Sequence, residues 1–323
     1  SFAKTVAATL AEEMRRDERV ILMGLDVGKY GNAFAATVGL IDEFGPERVL
    51  DMPISEEGYV GAAVGAAITG LRPVVELQFS DWITVAMDMI CNQAANMRYM
   101  FGGSLSVPMV LRLPTGAYLQ AAAQHSHSWE SWFAFVPGLK VVIPSNGRDL
   151  KGLLKASIRD DNPVLFFEHK KLYDQRYDVP DNRDFILPLG KADVKREGKD
   201  VSIITYSYMV QFALEAAEKL AAEGIDVEVV DLMTIKPIDR EAIIRTAQKT
   251  GRILCLQEAW LTCSVASEMA AIIAEELSGK QLIKIRRLGS KDAPIPFSPK
   301  LEAYVLPSVE GVIEEVRLLM RED

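Results

Sequence analysis

The chain has 323 residues, 36 Lys and Arg against 45 Asp and Glu for a formal net charge of −9, and 49% hydrophobic residues. That is the composition of a soluble globular protein, long enough for two domains of about 150 residues each. An acidic chain without a Lys/Arg run has no concentrated basic footprint for nucleic acid. The longest small and apolar stretch, Tyr59 to Ile68, falls short of the about 20 residues a membrane helix needs. No basic-then-apolar leader opens the sequence, so a cytoplasmic location is expected. Cys91, Cys255 and Cys263 lack metal or redox spacing and read as thiols in a reducing compartment.

In chain order the patterns alternate. An amphipathic helix runs through Ala11–Arg16, a strand through Val20–Gly24 and a small-residue helix from Tyr59 to Thr69. The apolar runs Pro73–Phe79, Pro108–Leu113, Leu139–Ile143 and Pro163–Glu168 are bounded by Gly, Pro or Asn, the form of strands buried in a parallel sheet. Helices are expected at Ile83–Met100 and at Arg148–Arg159, the latter opened by Ser145 and Asn146. A polar segment from Tyr173 to Arg183 reads as a linker between domains 1–180 and 181–323. Alternation then restarts: strand Val201–Tyr206, helix Val210–Glu223, strand Asp226–Asp231, helix Arg240–Thr250, strand Arg252–Gln257 and helix Ser264–Glu276, with Gly224 and Gly251 as left-handed helix ends. Both halves are therefore expected to be doubly wound α/β domains.

There is no GxGxxG after a strand, no GxxxxGK[ST], no HExxH and no GxSxG, so four common enzyme classes lose their phosphate cradle, metal pair or nucleophile elbow. Two of the three histidines, His125 and His127, lie in the run Gln124-His125-Ser126-His127-Ser128-Trp129-Glu130. No Cys or carboxylate nearby has the spacing to complete a metal site. A loop histidine among hydroxyls suits acid/base work near neutral pH, and a merely hydrogen-bonded one looks the same on composition. Glu56 and Glu57 precede the small-residue helix, where acids ordinarily serve as cap and dipole partners, and where one could instead face a pocket. Gly24-Leu25-Asp26-Val27-Gly28 ends the first strand, where open α/β sheets place ligands.

Several longer runs stand in order: Asp51-Met52-Pro53-Ile54-Ser55-Glu56, Gly70-Leu71-Arg72-Pro73 with Glu76-Leu77-Gln78-Phe79, Gln124-His125-Ser126, Pro137-Gly138-Leu139-Lys140-Val141-Val142, Arg159-Asp160-Asp161-Asn162-Pro163, Pro188-Leu189-Gly190-Lys191-Ala192 and Lys249-Thr250-Gly251-Arg252. On these the chain resembles, nearly end to end, the beta subunit of the thiamine-diphosphate-dependent 2-oxoacid dehydrogenases that act on pyruvate, branched-chain 2-oxoacids or acetoin. The resemblance implies a transketolase-like pyrimidine-binding domain followed by a transketolase C-terminal-like domain. It implies assembly with an alpha subunit as an α2β2 heterotetramer, with thiamine diphosphate shared between the two chains and its Mg2+ held by the alpha subunit. It further implies transfer of the acyl group to a lipoylated acyltransferase core. By the same resemblance Glu56 shares a proton with the pyrimidine ring and His125 moves a proton during acyl transfer, so these are the implied catalytic residues. Ile54, Gln78 and Trp82 match cofactor contacts, and Met109, Ser157, Ile158, Asp160 and Asn162 match a structural K+ site. No GDG motif for the diphosphate is present.

The chain also departs from the family pattern. Leu25 stands where Glu is usual, Met89 and His127 stand where Gln is usual, and Thr262-Cys263-Ser264 replaces Gly-Gly-Phe. These changes keep two further readings open: a split transketolase or synthase acting on a sugar or aldehyde, and an idle scaffold paralogue.

Overall fold

In the computed structural model, which describes residues 1–321, the chain divides into two compact units. One comprises Ser1–Thr115 and Trp132–Leu189; the other comprises Gly116–Ser131 and the chain from Gly190 onward. The second unit therefore takes a segment out of the middle of the first.

Strands of the first unit are β1 (Val20–Gly24), β2 (Val49–Asp51), β3 (Arg72–Glu76), β4 (Val110–Thr115), β5 (Lys140–Val142) and β6 (Val164–His169). They lie parallel in the order β5-β6-β4-β3-β1-β2. β1, β4 and β6 are buried along their whole length, which is why they read as continuous apolar runs instead of alternating. The helix Gly147–Arg159 starts where Asn146 Oδ1 accepts the Asp149 amide at 2.9 Å, and it buries Leu150, Leu153, Leu154 and Ile158 at helical spacing.

One expected helix takes a different form. The stretch expected as one helix over Ile83–Met100 is a 3₁₀ turn at Ser80–Thr84, a π-helical stretch at Met89–Ala94 and an α-helix at Ala95–Met100. In the wide turn the Ala95 amide bonds back to the Ile90 carbonyl, and Asn96 Nδ2 reaches the Cys91 and Asn92 carbonyls at 3.2 Å each. Met89, at the start of this stretch, lies against the helix Glu56–Ile68, where a Cβ added to Gly61 would stand 3.0 Å from Met89 Sδ. Apolar periodicity alone does not distinguish such an insertion from a regular helix.

In the second unit β7 (Asp193–Arg196), β8 (Val201–Thr205), β9 (Val227–Asp231), β10 (Thr234–Lys236), β11 (Arg252–Trp260) and β12 (Lys284–Ser290) follow one another. Five of them form a sheet of order β12-β11-β8-β9-β7, with only β7 antiparallel. Ala213, Ala217 and Leu220 of the helix Met209–Ala221, and Val312 and Val316 of the helix Val309–Arg321, pack on Val201, Ile203, Val229 and Leu254 of this sheet. Gly224 (φ 82°) and Gly251 (φ 68°) end their helices in the left-handed region, as their sequence positions suggest.

Candidate active site

The carboxyl ends of β1, β2 and β3 lie side by side, because Gly24 is in register with both Asp51 and Glu76. This is the edge where a parallel α/β sheet leaves its loops free for a ligand. The Met52 amide bonds to the Gly24 carbonyl at 2.9 Å, and Asp51 Oδ1 accepts the Gly28 amide at 2.6 Å, tying the loop after β2 to the loop after β1. Four residues beyond Met52 the helix Glu56–Ile68 begins, with Glu56 and Glu57 in its first turn and Ser55 making no side-chain cap. The carboxylates thus stand at the positive end of the helix dipole.

Ile54 is 80% exposed beside Glu56, an unusual position for a large aliphatic side chain. After β3, Gln78 Nε2 reaches Asp26 at 3.5 Å, and Phe79 meets Trp82 edge to face with ring centroids 5.2 Å apart. A carboxylate, an amide, an exposed aliphatic group and a half-buried indole thus rise from one sheet edge. This donor set suits a flat, nitrogen-rich ring: apolar walls for its faces, and hydrogen-bonding groups for its rim.

Below the edge lies a feature the sequence did not announce. Arg112 on β4 is fully buried and ion-paired with two buried glutamates. Its Nη1 donates to Glu76 Oε2 at 2.5 Å, and its Nε and Nη2 donate to the two Glu168 oxygens at 2.7 Å each. The Tyr173 hydroxyl donates to Glu168 at 2.5 Å, and Asn32 Nδ2 donates to Glu76 at 2.7 and 2.8 Å. Asn32 Oδ1 in turn accepts the Phe34 and Ala36 amides at 2.9 Å each, so the triad fixes the loop after β1. Burial pushes the Glu76 carboxyl up from its ordinary value, against the pull of Arg112 and Asn32.

The five residues expected to gather around K+ cluster at the other end of the unit. One Arg72 nitrogen, Nη1, donates to the Ile158 and Asp160 carbonyls at 3.0 Å each, so these two oxygens converge on positive charge. The Met109 carbonyl accepts from Val164 at 2.9 Å and that of Ser157 from Asp160 at 3.2 Å. Asp160 Oδ1 takes the Asn162 amide at 2.9 Å, and Asp160 is also paired with Lys140. Burial opposes its ionisation, yet Lys140 and Asn162 hold its carboxyl below the usual value.

His125 lies in the second unit, in the segment Gly116–Ser131. Before the helix Glu130–Phe135 begins, this loop has only a 3₁₀ turn at Ala123–His125. Tyr118 (φ 65°), Gln120 (φ 52°) and Ala122 (φ 62°) all occupy the left-handed region, where a Cβ costs about 1 kcal/mol or more per residue. His127 stacks on Trp129 at 4.4 Å and lies 5.9 Å from Trp260. At the loop's end Glu130 is buried and accepts from the Tyr206 hydroxyl at 2.9 Å. Burial pushes its carboxyl up to about 7, and Glu258 adds to the rise.

The family model for the pyrimidine-binding domain of transketolase matches residues 1–175, and that for the transketolase C-terminal domain matches residues 190–312. The 2-oxoisovalerate dehydrogenase subunit beta of Bacillus subtilis is 46% identical over 99% of this chain and 98% of its own. The beta subunit of the acetoin:2,6-dichlorophenolindophenol oxidoreductase of the same organism is 42% identical over 100% and 97%. The pyruvate dehydrogenase E1 component subunit beta of Rhizobium meliloti is 44% identical over 95% of this chain and 67% of its own. The chain belongs to the 2-oxoacid dehydrogenase beta-subunit family. The fold is that of a split-gene transketolase, solved as an inactive beta4 tetramer, with a TM-score of 0.80 at 23% identity over 99% of this chain and 98% of that one.

Within this beta-subunit frame the departures have structural settings. Cys263 has φ 50°, a conformation that favours the glycine usual there, and Ser264 behind it caps the next helix by accepting the Ser267 amide at 3.3 Å. Met89 faces Gly61, and His127 is built into the Trp129 and Trp260 stack. Leu25, half-buried, follows β1 directly and has no group that can carry a proton. Among the described residues no helix is long and apolar enough to cross a membrane.

Proposed function

We propose that this chain is the beta subunit of an α2β2 thiamine-diphosphate-dependent dehydrogenase that decarboxylates a small 2-oxoacid, or cleaves acetoin, and passes the acyl group to a lipoyl group. The observation that carries this reading is Glu56 at the head of its helix on the carboxyl edge of the sheet, with Ile54, Gln78 and Trp82 from the adjoining loops. When bound, thiamine diphosphate supplies the electron sink for decarboxylation. Glu56 would share a proton with the aminopyrimidine, and the helix N-terminus stabilises the carboxylate it leaves. Ile54 and Trp82 would hold the ring and keep water from it, and Gln78 would supply a hydrogen-bonding group to it. His125 would give a proton to the lipoyl sulfur released when the S–S bond breaks and the other sulfur takes the acyl group. The alpha subunit holds the diphosphate and Mg2+, and the lipoylated acyltransferase core receives the product.

K+ belongs to the same reading. The carbonyls of Met109, Ser157 and Ile158, with Asp160 and Asn162, each keep acceptor capacity beyond the bonds described, and two of them already converge on a cation. Free thiols at Cys91, Cys255 and Cys263 agree with a cytoplasmic location.

A split transketolase acting on a sugar phosphate would need cations open to the phosphate, and Arg112 and Lys140 are two that stand near the site's loops in sequence. Arg112 is spent on two glutamates and Lys140 on Asp160, so neither is open to a sugar phosphate.

The test is to purify the chain with its stoichiometric partner and assay pyruvate, 3-methyl-2-oxobutanoate and acetoin with a lipoylated acceptor. Turnover that requires the lipoyl group, and that disappears in Glu56→Gln while the tetramer still assembles, is expected. Full activity in Glu56→Gln would overturn the mechanism.

A further inference from the structure

The loop that carries His125 is strained, and the strain has to be held by something. Tyr118, Gln120 and Ala122, none of them glycine, alternate through the left-handed region within five residues. Such a conformation persists only where the surroundings over-determine it, and it clusters where function requires a set geometry. The restraints lie on Gln120 and at the base of the loop. Glu258 Oε1 accepts the Ala117 amide at 2.7 Å and the Ser128 hydroxyl at 3.2 Å, drawing together the two limbs of the loop. Gly116 donates to the His127 carbonyl at 3.2 Å beside it. Glu302 takes the Gln120 amide at 3.2 Å and its side-chain Nε2 at 2.7 Å.

Both carboxylates are buried, at 7% and 2% exposure, in a place where apolar side chains would pack at less cost. Glu258 is itself held. It sits in the irregular end of β11, where the register with β12 shifts between Leu256 and Trp260. Neighbouring Gln257 fixes that irregularity by donating to the Trp260 carbonyl at 2.7 Å and accepting the Ala266 amide at 2.7 Å.

We propose that Glu258, seconded by Glu302, is a positioning residue for acyl transfer: its carboxylate closes the base of the loop and holds His125 in the orientation the lipoyl step needs. This rests on the role given to His125 above. The carboxylate acts through the loop and not by contact with substrate or cofactor.

The experiment uses the tetramer assembled with its partner subunit and compares Glu258→Ala, Glu258→Gln, Glu302→Ala and His125→Ala. Two rates are read for each: oxidation of the 2-oxoacid with 2,6-dichlorophenolindophenol, which needs no lipoyl group, and reductive acylation of free lipoamide. Glu258→Ala is expected to lower kcat for acylation by about tenfold more than it lowers dye reduction. Glu258→Gln keeps the acceptor oxygen and is expected to return the ratio to near wild type, a rescue that simple destabilisation would not mirror. Should Glu258→Ala fail to assemble, Glu302→Ala is expected to show the same selective loss in milder form. Equal losses in both rates, with His125→Ala still selective for acylation, would overturn the proposal alone. A His125→Ala enzyme that acylates lipoamide normally would overturn the role of His125 and the proposal with it.

Discussion

The surroundings of Glu56 and those of His125 position a reactive group by opposite means. Glu56 stands at a helix start on the edge of a regular parallel sheet, and its place follows from strand register: Gly24, Asp51 and Glu76 are level, so their loops are level. His125 lies in a loop with almost no regular structure, whose backbone is held by buried carboxylates from far along the chain. The regular edge also has buried charge beneath it, in Arg112, Glu76 and Glu168, but those charges are paired with one another on neighbouring strands. The loop requires Glu130, Glu258 and Glu302 to be buried, and that is a large outlay for a chain of marginal stability.

If the regular edge needs only one special group, removing that group should be decisive. Glu56→Gln keeps the shape of the site and cannot hand over a proton. Loss of a positioned acid or base costs between about 10²-fold and 10⁴-fold. Turnover in the assembled tetramer is expected to fall in that range with the melting temperature unchanged, read by lipoyl-dependent assay and calorimetry. A loss confined to KM would mean that Glu56 only binds, and would erase the contrast with the loop.

The regular edge still has a charged support beneath it, and breaking it tests how much the sheet owes to Arg112. Arg112→Met leaves Glu76 and Glu168 buried without a cation, and removing one partner of a buried ion pair costs about 3–5 kcal/mol. The single variant is expected to lose that much in denaturant unfolding. Adding Glu76→Gln and Glu168→Gln should recover a large part of it, because the orphaned charges go with the substitutions. No recovery would mean that the guanidinium serves chiefly as packing.

These two regions also differ in how far they can be read from sequence. The strands and helices that level the Glu56 edge show in local pattern: buried runs such as Val110–Leu113, the Asn146 cap, the glycine helix ends. The Glu56 run itself stands out as paired acids before a small-residue helix. Nothing local points to Glu258 or Glu302, because their partners lie 130 to 182 residues away in the chain. Nor does local pattern show that residues 116–131 belong with the second unit. A continuous apolar run looks the same whether or not the chain leaves and returns after it. Glu130 and Arg112 were visible as residues, yet burial, which makes them consequential, is a property of the folded chain. The π-helical stretch at Met89–Ala94 escapes for a related reason, since one inserted residue barely disturbs apolar periodicity.

The smallest effect comes from the irregular side and is a matter of pH. The Glu130 carboxyl, ordinarily near 4.5, is pushed up to about 7 by burial, while the Tyr206 hydroxyl donates to it. In the folded chain it therefore stays protonated across a range where the unfolded chain has already ionised. The associated stability is present in full below 4.5 and is lost as pH rises through about 7, where the fold must bury a carboxylate. The full swing is roughly 3 kcal/mol. Glu130→Gln carries a neutral acceptor for Tyr206 at every pH. Its unfolding free energy is expected to be flatter than that of the wild type between about pH 5 and pH 8, with the two curves meeting at the acid end and the variant ahead at the alkaline end. Parallel curves would show that Glu130 ionises as freely as a surface acid. The buried carboxylates of the loop would then be no more costly than the regular edge, and the contrast between the two regions would rest on backbone strain alone.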